Sequence, residues 1–284
     1  MASLQDIRHR IKSVKNIQQI TNAMDMVATS RLRHAKEAAQ ANKPYADKLI
    51  EVVREISQSA GSISHPLLET HEEGHRLVLV MASDKGLAGA YSSNACKEAL
   101  ASIEDKEGTE IVTVGRKARD YFTHRGYNVV HAYTGISEKP KAENAQEIAS
   151  YLMERFARGG ISDVRMIYTR FISSINCQPE TVELLPLTNL GGEEEIAPKA
   201  EYIYEPDAET VLGFLLPQYV FTTIYAAMLQ AAASELSSRM NAMSNATDNA
   251  EELISSLDLH YNKVRQAGIT NEINEIVGGA EALK

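Results

Sequence analysis

The strongest constraint on this chain is a long apolar seam toward its C-terminus. From Leu236 the apolar or small positions run Met240, Met243, Thr247, Ala250, Ile254, Leu257, Tyr261 and Val264, in alternating steps of four and three. That spacing holds one edge of a helix against a partner helix for about four heptads, which a coiled coil requires and a strand or short core helix does not. Small residues crowd the approach to the seam, among them residues 231–233, Ser237, Ser238, Ala242, Ser244 and Ala246, so a partner backbone can come close. Asp207, after Pro206, reads as the helix N-cap, and Glu209 suits the positive end of the helix dipole. A helical segment is expected over residues 207–284.

The expected partner is the other end of the chain. Ser3 with Asp6 makes a helix start signal, and Leu4, Ile7, Ile11 and Val14 recur at helical spacing. After a one-residue slip, Ile17, Ile20, Met24 and Val27 continue the stripe, and Tyr45, Leu49, Val52 and Ile56 extend it. Pro44 is the strong breaker and predicts a kink. At ~1.5 Å per residue, about fifty residues make a rod of roughly 75 Å, too long for the interior of one compact domain. Residues 1–57 carry ten Lys/Arg against six Asp/Glu, and residues 207–284 carry four against ten. Ends of opposite sign either pair with each other or face two different partners. One antiparallel coiled coil is the simplest arrangement.

Between the ends the period changes. The run RLVLVMAS from Arg76 is continuously apolar, as in a buried strand, and leads through a Gly-containing loop into the helix-like YSSNACKEALASIE. EIVTVG from Glu110 precedes RKARDYFTHRG, YNVVHAY from Tyr127 is a third strand, residues 143–158 read as a helix, and DVRMIYTRF from Asp163 is a fourth strand. Residues 172–187 supply another strand, antiparallel after a turn. Strands alternating with helices predict an α/β fold: a Rossmann-like α/β domain over residues 75–190, inserted between N-terminal (1–57) and C-terminal (207–284) coiled-coil helices.

Composition removes several functions. A formal net charge of -9 argues against nucleic acid as a partner, because phosphate neutralisation needs a net basic face. Five Phe and no Trp are thin material for a large ligand pocket or a base-stacking surface. Cys96 and Cys177 have no metal-ligand spacing, and the N-terminus lacks the apolar core of a signal peptide. No charge occurs over residues 210–234, a length that could span a membrane, yet Pro217, Gln218, Thr222, Thr223 and Gln230 interrupt it and its near flanks are acidic. A helix buried against a domain and a partner is the expectation, with no direct membrane span.

Two motifs invite a catalytic reading. HEEGH, from His71 to His75, matches H-E-x-x-H, but that zinc chemistry needs a regular helix, and here Pro66 precedes it, Gly74 interrupts it and a strand follows. SDKGLAGA, residues 83–90, stands where α/β folds bind phosphate, between a first strand and a helix. It has only two glycines, and Lys85 comes before both, so it fits neither nucleotide fingerprint; a tight strand–helix turn is the plainer reading. Arg8, Arg10, Lys12, Lys15, Arg31, Arg33 and Lys36 form a basic face that either pairs with the acidic C-terminal helix or meets an acidic partner. The last segment is rich in Ile273, Ile276, Val277 and small residues, unlike a normal polar terminus, so something is expected to surround it.

Both ends also resemble a known family. Residues 7–32, IRHRIKSVKNIQQITNAMDMVATSRL, resemble the N-terminal signature of ATP synthase gamma subunits; RMNAMSNATDN (239–249) and HYNKVRQAGITNEINEIVGGA (260–280) resemble the C-terminal one. SDKGLAGAYS and YIYEPD resemble further family segments, in order along nearly the whole chain. The resemblance implies a non-catalytic central rotor shaft of a proton-translocating F-type ATP synthase, without cofactor, catalytic residue or metal. The implied partners are the alpha and beta subunits, the epsilon subunit and the c-ring. Carried over by motif, Met24, Arg265, Gln266 and Lys85 are implied beta-subunit contacts. Tyr204 and Glu205 are implied foot contacts to the c-ring and epsilon, while Ile273, Ile276 and Val277 form an apolar bearing tip. The absence of an organellar transit peptide and of the chloroplast insertion implies a bacterial form at the cytoplasmic face of the cell membrane, as a peripheral subunit. The alternatives are a generic coiled-coil adaptor and an α/β enzyme using residues 83–90.

Overall fold

The computed structural model describes residues 4–59, 65–71, 74–187, 205 and 207–282. Ser3 of the start signal, Glu72 and Glu73 of HEEGH, and Tyr204 lie outside the described residues. The chain divides into two compact units, one of residues 29–239 and one of residues 1–28 with 240–284. The elements run α1 (Leu4–Ser59), β1 (His75–Met81), α2 (Tyr91–Ser102), β2 (Thr109–Val114), α3 (Arg116–His124), β3 (Asn128–Tyr133), α4 (Ala142–Ala157), β4 (Ile161–Phe171), β5 (Cys177–Leu185) and α5 (Ala208–Ala282).

In the first unit the five strands form one sheet of order β3-β2-β1-β4-β5. The pairs β1–β2, β1–β4 and β2–β3 are parallel and β4–β5 is antiparallel. Every segment with a strand pattern in the sequence is a strand here. Alternation along β1 sets the layers: Leu77, Leu79 and Met81 enter one core, Val78 and Val80 the other. The second core is closed by Cys96 and Ala99 of α2 and by Ala118 and Phe122 of α3. The first takes Ile148, Leu152 and Phe156 of α4, then Leu49, Val53 and Ile56 of α1, then α5. Each such Leu, Ile, Val or Phe contributes about 1.5–3 kcal/mol by leaving water.

The α5 contribution accounts for the charge-free run. Leu212, Leu216, Val220, Ile224, Ala227, Met228 and Ala231 are all buried in the first core. Among the described residues α5 holds a stretch of 18 residues, of mean hydropathy 1.4, long and apolar enough to cross a membrane, and the buried face over residues 212–231 is occupied by the sheet layer. Asp207 caps α5 as its sequence position indicates: Oδ1 accepts the Thr210 amide at 2.8 Å and Oδ2 the Thr210 hydroxyl at 2.9 Å. Helical structure runs unbroken through Pro44 in α1 and Pro217 in α5.

The second unit is the paired-helix seam. Arg8 stacks over the Tyr261 ring at 5.3 Å, and the Thr21 and Thr247 hydroxyls meet at 2.8 Å, so the two helices run antiparallel. On α5, Met243 and Ala250 are buried and Met240, Thr247, Ile254, Leu257, Tyr261 and Val264 half-buried, as the heptads require. On α1 the register expected from hydrophobicity fails. Ile17, Ile20 and Val27 are at least half exposed, and Tyr45 lies outward as well. The seam instead continues without a slip from Val14 through Gln18 and Thr21 to Ala28, and Ala46 takes the inward place beside Tyr45. The reason is space: the facing stretch of α5 is rich in small residues, and close approach admits Thr and Ala where Ile would hold the backbones apart.

Two expectations follow. Ala28→Gln should cost roughly 2 kcal/mol in urea unfolding, whereas Ile20→Gln should stay within about 0.5 kcal/mol; the reverse ranking would restore the slipped register. Gly115, with φ at +93°, caps α3 so tightly that an added Cβ would stand 2.2 Å from the Ala82 carbonyl oxygen. Gly115→Ala should destabilise the chain by on the order of 3 kcal/mol, and a loss below about 1 kcal/mol would show that the turn can relax.

Candidate interaction sites

Displacement of Ile17, Ile20 and Val27 from the seam creates an exposed apolar stripe on α1, with Met26 beside it at 66% exposure. Met24 is half-buried at the edge of the seam. Arg265 and Gln266 are exposed on α5, where the Gln266 carbonyl accepts the Thr270 hydroxyl at 2.9 Å. Beyond them, residues 269–280 are exposed all round the helix. Ile273, Ile276 and Val277 are 54%, 71% and 56% exposed, so nothing among the described residues covers the apolar end. Exposed aliphatic side chains grouped along a helix make this end a candidate contact surface. Charge pairing between the helices is not how their basic face is used here. Arg8 meets a ring, Arg31 and Lys36 bind within the α/β unit, and Arg10, Lys12 and Lys15 make no ion pair among the described residues.

The carboxyl edge of the sheet is the place where related topologies bind phosphate. Here it is closed from within. Asp84, in the loop after β1, accepts the amide of Arg116 at 3.2 Å and that of Ser137 at 3.1 Å, while its own amide donates to the Ser137 hydroxyl at 3.0 Å. An intramolecular carboxylate thus takes the N-terminus of α3, where an anionic ligand would otherwise sit. The adjoining cavity, lined by Met81, Ala82, Tyr91, Ile136, Ser137 and Met228, holds ≈ 10 Å³, about one water. Small-molecule sites need several hundred. Of the described residues of HEEGH, His75 opens β1, and His71 stacks on Phe156 with ring centroids 4.9 Å apart.

Beside Asp84 lies an ionic cluster. Glu138, in the loop before α4, accepts Arg31 of α1, Lys85 of the β1–α2 loop at 3.2 Å and Arg239 of α5 at 3.2 Å. Arg239 also binds Glu235, one turn back on α5, at 2.8 Å. Lys85 is therefore engaged within the fold while its side chain stays 60% exposed. Sequence reasoning missed Glu138, Glu235 and Arg239. The available signal was Glu235 as the first charge after a long neutral run, with Arg239 four residues on. Glu205 is exposed. A shallow open groove lies between α4 and α5, lined by Glu143, Gln146, Glu147 and Phe221.

A two-helix seam with exposed apolar flanks, joined in sequence to an α/β body, presents surfaces of the kind that contact other chains. The ATP synthase family model ("ATP-synt") matches residues 3–283. The chain is 44% identical to the ATP synthase gamma chain of Desulforamulus reducens over 284 residues, covering 100% of both chains. It is 40% identical to the sodium-ion-specific ATP synthase gamma chain of Acetobacterium woodii over 298 residues, covering 99% of each. Among solved structures, a chain in the central stalk and c-ring of the Tetrahymena thermophila mitochondrial ATP synthase matches with TM-score 0.62 at 25% identity. That match covers 80% of this chain and 99% of that one. A chain of the Euglena gracilis mitochondrial ATP synthase shares the fold at TM-score 0.70 and 17% identity, covering 99% of this chain and 94% of that one. This chain belongs to the ATP synthase gamma chain family.

Asp84 gives the site a pH dependence of known sign. Burial pushes its carboxyl up, but the amides of Gly135, Ser137 and Arg116 and the Ser137 hydroxyl outweigh burial and hold it below the ordinary value. A lowered carboxyl stabilises the fold above the ordinary aspartate range and stops doing so as pH falls through the lowered value. Asp84→Asn should therefore lose about 2 kcal/mol at pH 7 and show a shallower decline below about pH 4; parallel pH–stability curves would remove the assigned role.

Proposed function

We propose that this chain is the central rotor shaft of an F-type ATP synthase, itself non-catalytic. It would couple ion-driven rotation of the c-ring to ATP synthesis or hydrolysis in a hexamer of alpha and beta subunits. The observation that carries the reading is the uncovered apolar surface of α5, where Ile269, Ile273, Ile276 and Val277 are exposed on a family member whose α/β edge is closed against nucleotide. A monomer gains nothing from such a tip; a shaft inside a ring of subunits gains a smooth bearing. The exposed stripe of Ile17, Ile20 and Val27 faces the same hexamer in this reading, with Met24, Arg265 and Gln266 as beta-subunit contacts. Lys85 takes part in such a contact through its exposed portion. Glu205, with Tyr204 outside the described residues, belongs to the foot that meets epsilon and the c-ring. The complex stands at the cytoplasmic face of a bacterial membrane, with this chain as a peripheral subunit.

Coupling follows from asymmetry. Each beta subunit has conformations of different nucleotide affinity, and a shaft with unlike sides favours a different one on each. Turning it moves those preferences round the ring, so torque becomes ATP release, and hydrolysis becomes torque. Small residues at the seam let the helices pack closely, which resists twisting.

Reconstitution with alpha and beta subunits is the direct test. Rotor function requires ATPase of the assembled complex to depend on this chain. The double variant Arg265→Ala, Gln266→Ala should lower coupled ATPase roughly tenfold, equivalent to about 1.4 kcal/mol. Wild-type activity in that variant would take those two side chains out of the contact. Failure of the intact chain to assemble would take away the reading itself.

A further inference from the structure

Rotor function makes no use of one buried group in the ionic cluster. Glu235 is fully buried on α5, and Arg239, one turn on, is nearly so. A carboxylate at such a site needs partners or a proton. The groups facing it are Arg239 on its own helix, Glu138 and Ser137 from the loop before α4, and Tyr91 of α2, whose hydroxyl donates to the Ala231 carbonyl at 3.2 Å. Cys177 of β5 also lies within electrostatic reach of Tyr91. Arg239 is divided among three elements. Nη2 donates to Glu235 at 2.8 Å and, at longer range, to the Gly86 and Lys85 carbonyls at 3.3 and 3.4 Å, while Nη1 donates to Glu138 at 3.2 Å. Its own helix and two loops therefore compete for one guanidinium.

We propose that Glu235 and Arg239 form a proton-set latch between α5 and the loops of the α/β unit. A solvent proton taken up by the Glu235 carboxylate frees Nη2 to close on the Lys85 and Gly86 carbonyls and leaves Glu138 as the one carboxylate facing Arg239, Arg31 and Lys85. Only hydrogen bonds change, and the cluster gains one positive charge. The latch is tight when Glu235 is protonated and looser when it is ionised. Burial pushes the Glu235 carboxyl up to about 7, opposed by Arg239 and Ser137 and assisted by Glu138, so both forms are accessible near neutral pH. Because the folded value lies above the ordinary one, this group's contribution to stability is complete at low pH. It is lost as pH rises toward the folded value, the unfolding constant growing by up to about tenfold per pH unit in that window. Both α1, through Arg31, and α5 are held by this cluster, and both helices also supply the coiled-coil unit. The link to rotation rests on the proposed function; the latch itself does not.

The test uses the full chain carrying ¹³C-labelled glutamate, followed by infrared or NMR titration and by hydrogen exchange of residues 85–89 and 135–138 from pH 5.5 to 8.5. Wild type should show one carboxyl titrating near neutrality and loop exchange, corrected for intrinsic chemistry, severalfold slower at the acid end. Glu235→Gln should abolish both and leave the loops in the slow state at every pH. If that variant does not fold, Glu138→Gln serves instead, and the neutral-range midpoint should move to lower pH. A Glu235 that titrates with ordinary carboxylates, a loop response that persists in Glu235→Gln, or an unmoved midpoint in Glu138→Gln overturns the proposal. These readouts need no partner subunit, so they can fail while assembly and coupled ATPase succeed, and the converse.

Discussion

One continuous helix, α5, must satisfy two different packing environments, and the rest of the fold follows from that demand. Over its first half it offers Leu212, Leu216, Val220 and Ile224 to a sheet, a broad apolar contact that tolerates large side chains. Over its second half it offers a narrow heptad edge of Met243, Thr247, Ala250 and Ile254 to one other helix. The change comes near residues 231–244, where Ala and Ser dominate. Small residues there leave the β4–β5 hairpin near the α5 backbone, as Ser234 and Ser237 show by donating to the Thr169 and Ser174 carbonyls at 2.9 and 2.8 Å. A large side chain in this stretch would displace the β4–β5 hairpin from the helix.

One polar cluster of the α/β unit stands at the edge where the parallel strands end. Exposed loop amides at that edge normally attract an anion. This chain supplies its own, with Asp84 on the α3 amide and Glu138 among three cations. The consequence is mechanical. The loops at this edge are tied to α1 and α5, so the sheet and the two helices are fixed to one another within the unit. Buried ionic contacts of this sort add less net stability than their number implies, because desolvation offsets attraction, but they specify one arrangement.

What could be read from the sequence depended on how local the governing signal is. The strands of the sheet and the α5 seam were legible because four to six consecutive apolar residues, or a strict four-three rhythm, permit few other structures. The α1 register was not. Between Val14 and Leu32 the inward positions include Gln18, Thr21 and Ala28, whereas Ile17, Ile20 and Val27 are outward, so a hydrophobic scan selects the wrong face. Glu138 was equally hidden, since its partner Arg239 is 101 residues away and no local spacing links the two. Of the implied contacts, Arg265 and Gln266 came from the family motif and Ile273, Ile276 and Val277 from an apolar terminus; the structure adds that all five are exposed.

The misread register bears on function. An exposed aliphatic stripe disfavours a free monomer, since it invites association without adding to the core. Placing Ile at those positions on α1 while giving Thr and Ala to the seam reverses the usual economy of a two-helix protein. That reversal is coherent if the helix pair is itself the inside of something larger. The small-residue seam then keeps the pair slim and stiff, and the aliphatic face outward becomes the working surface. The same logic covers the α5 end, where the helix continues past its last half-buried position, Gly268, with Ile273 and Ile276 still in the sequence. A terminus with no partner in its own chain would be expected to turn polar. This one stays apolar, which the proposed function accounts for by enclosing the segment in other subunits.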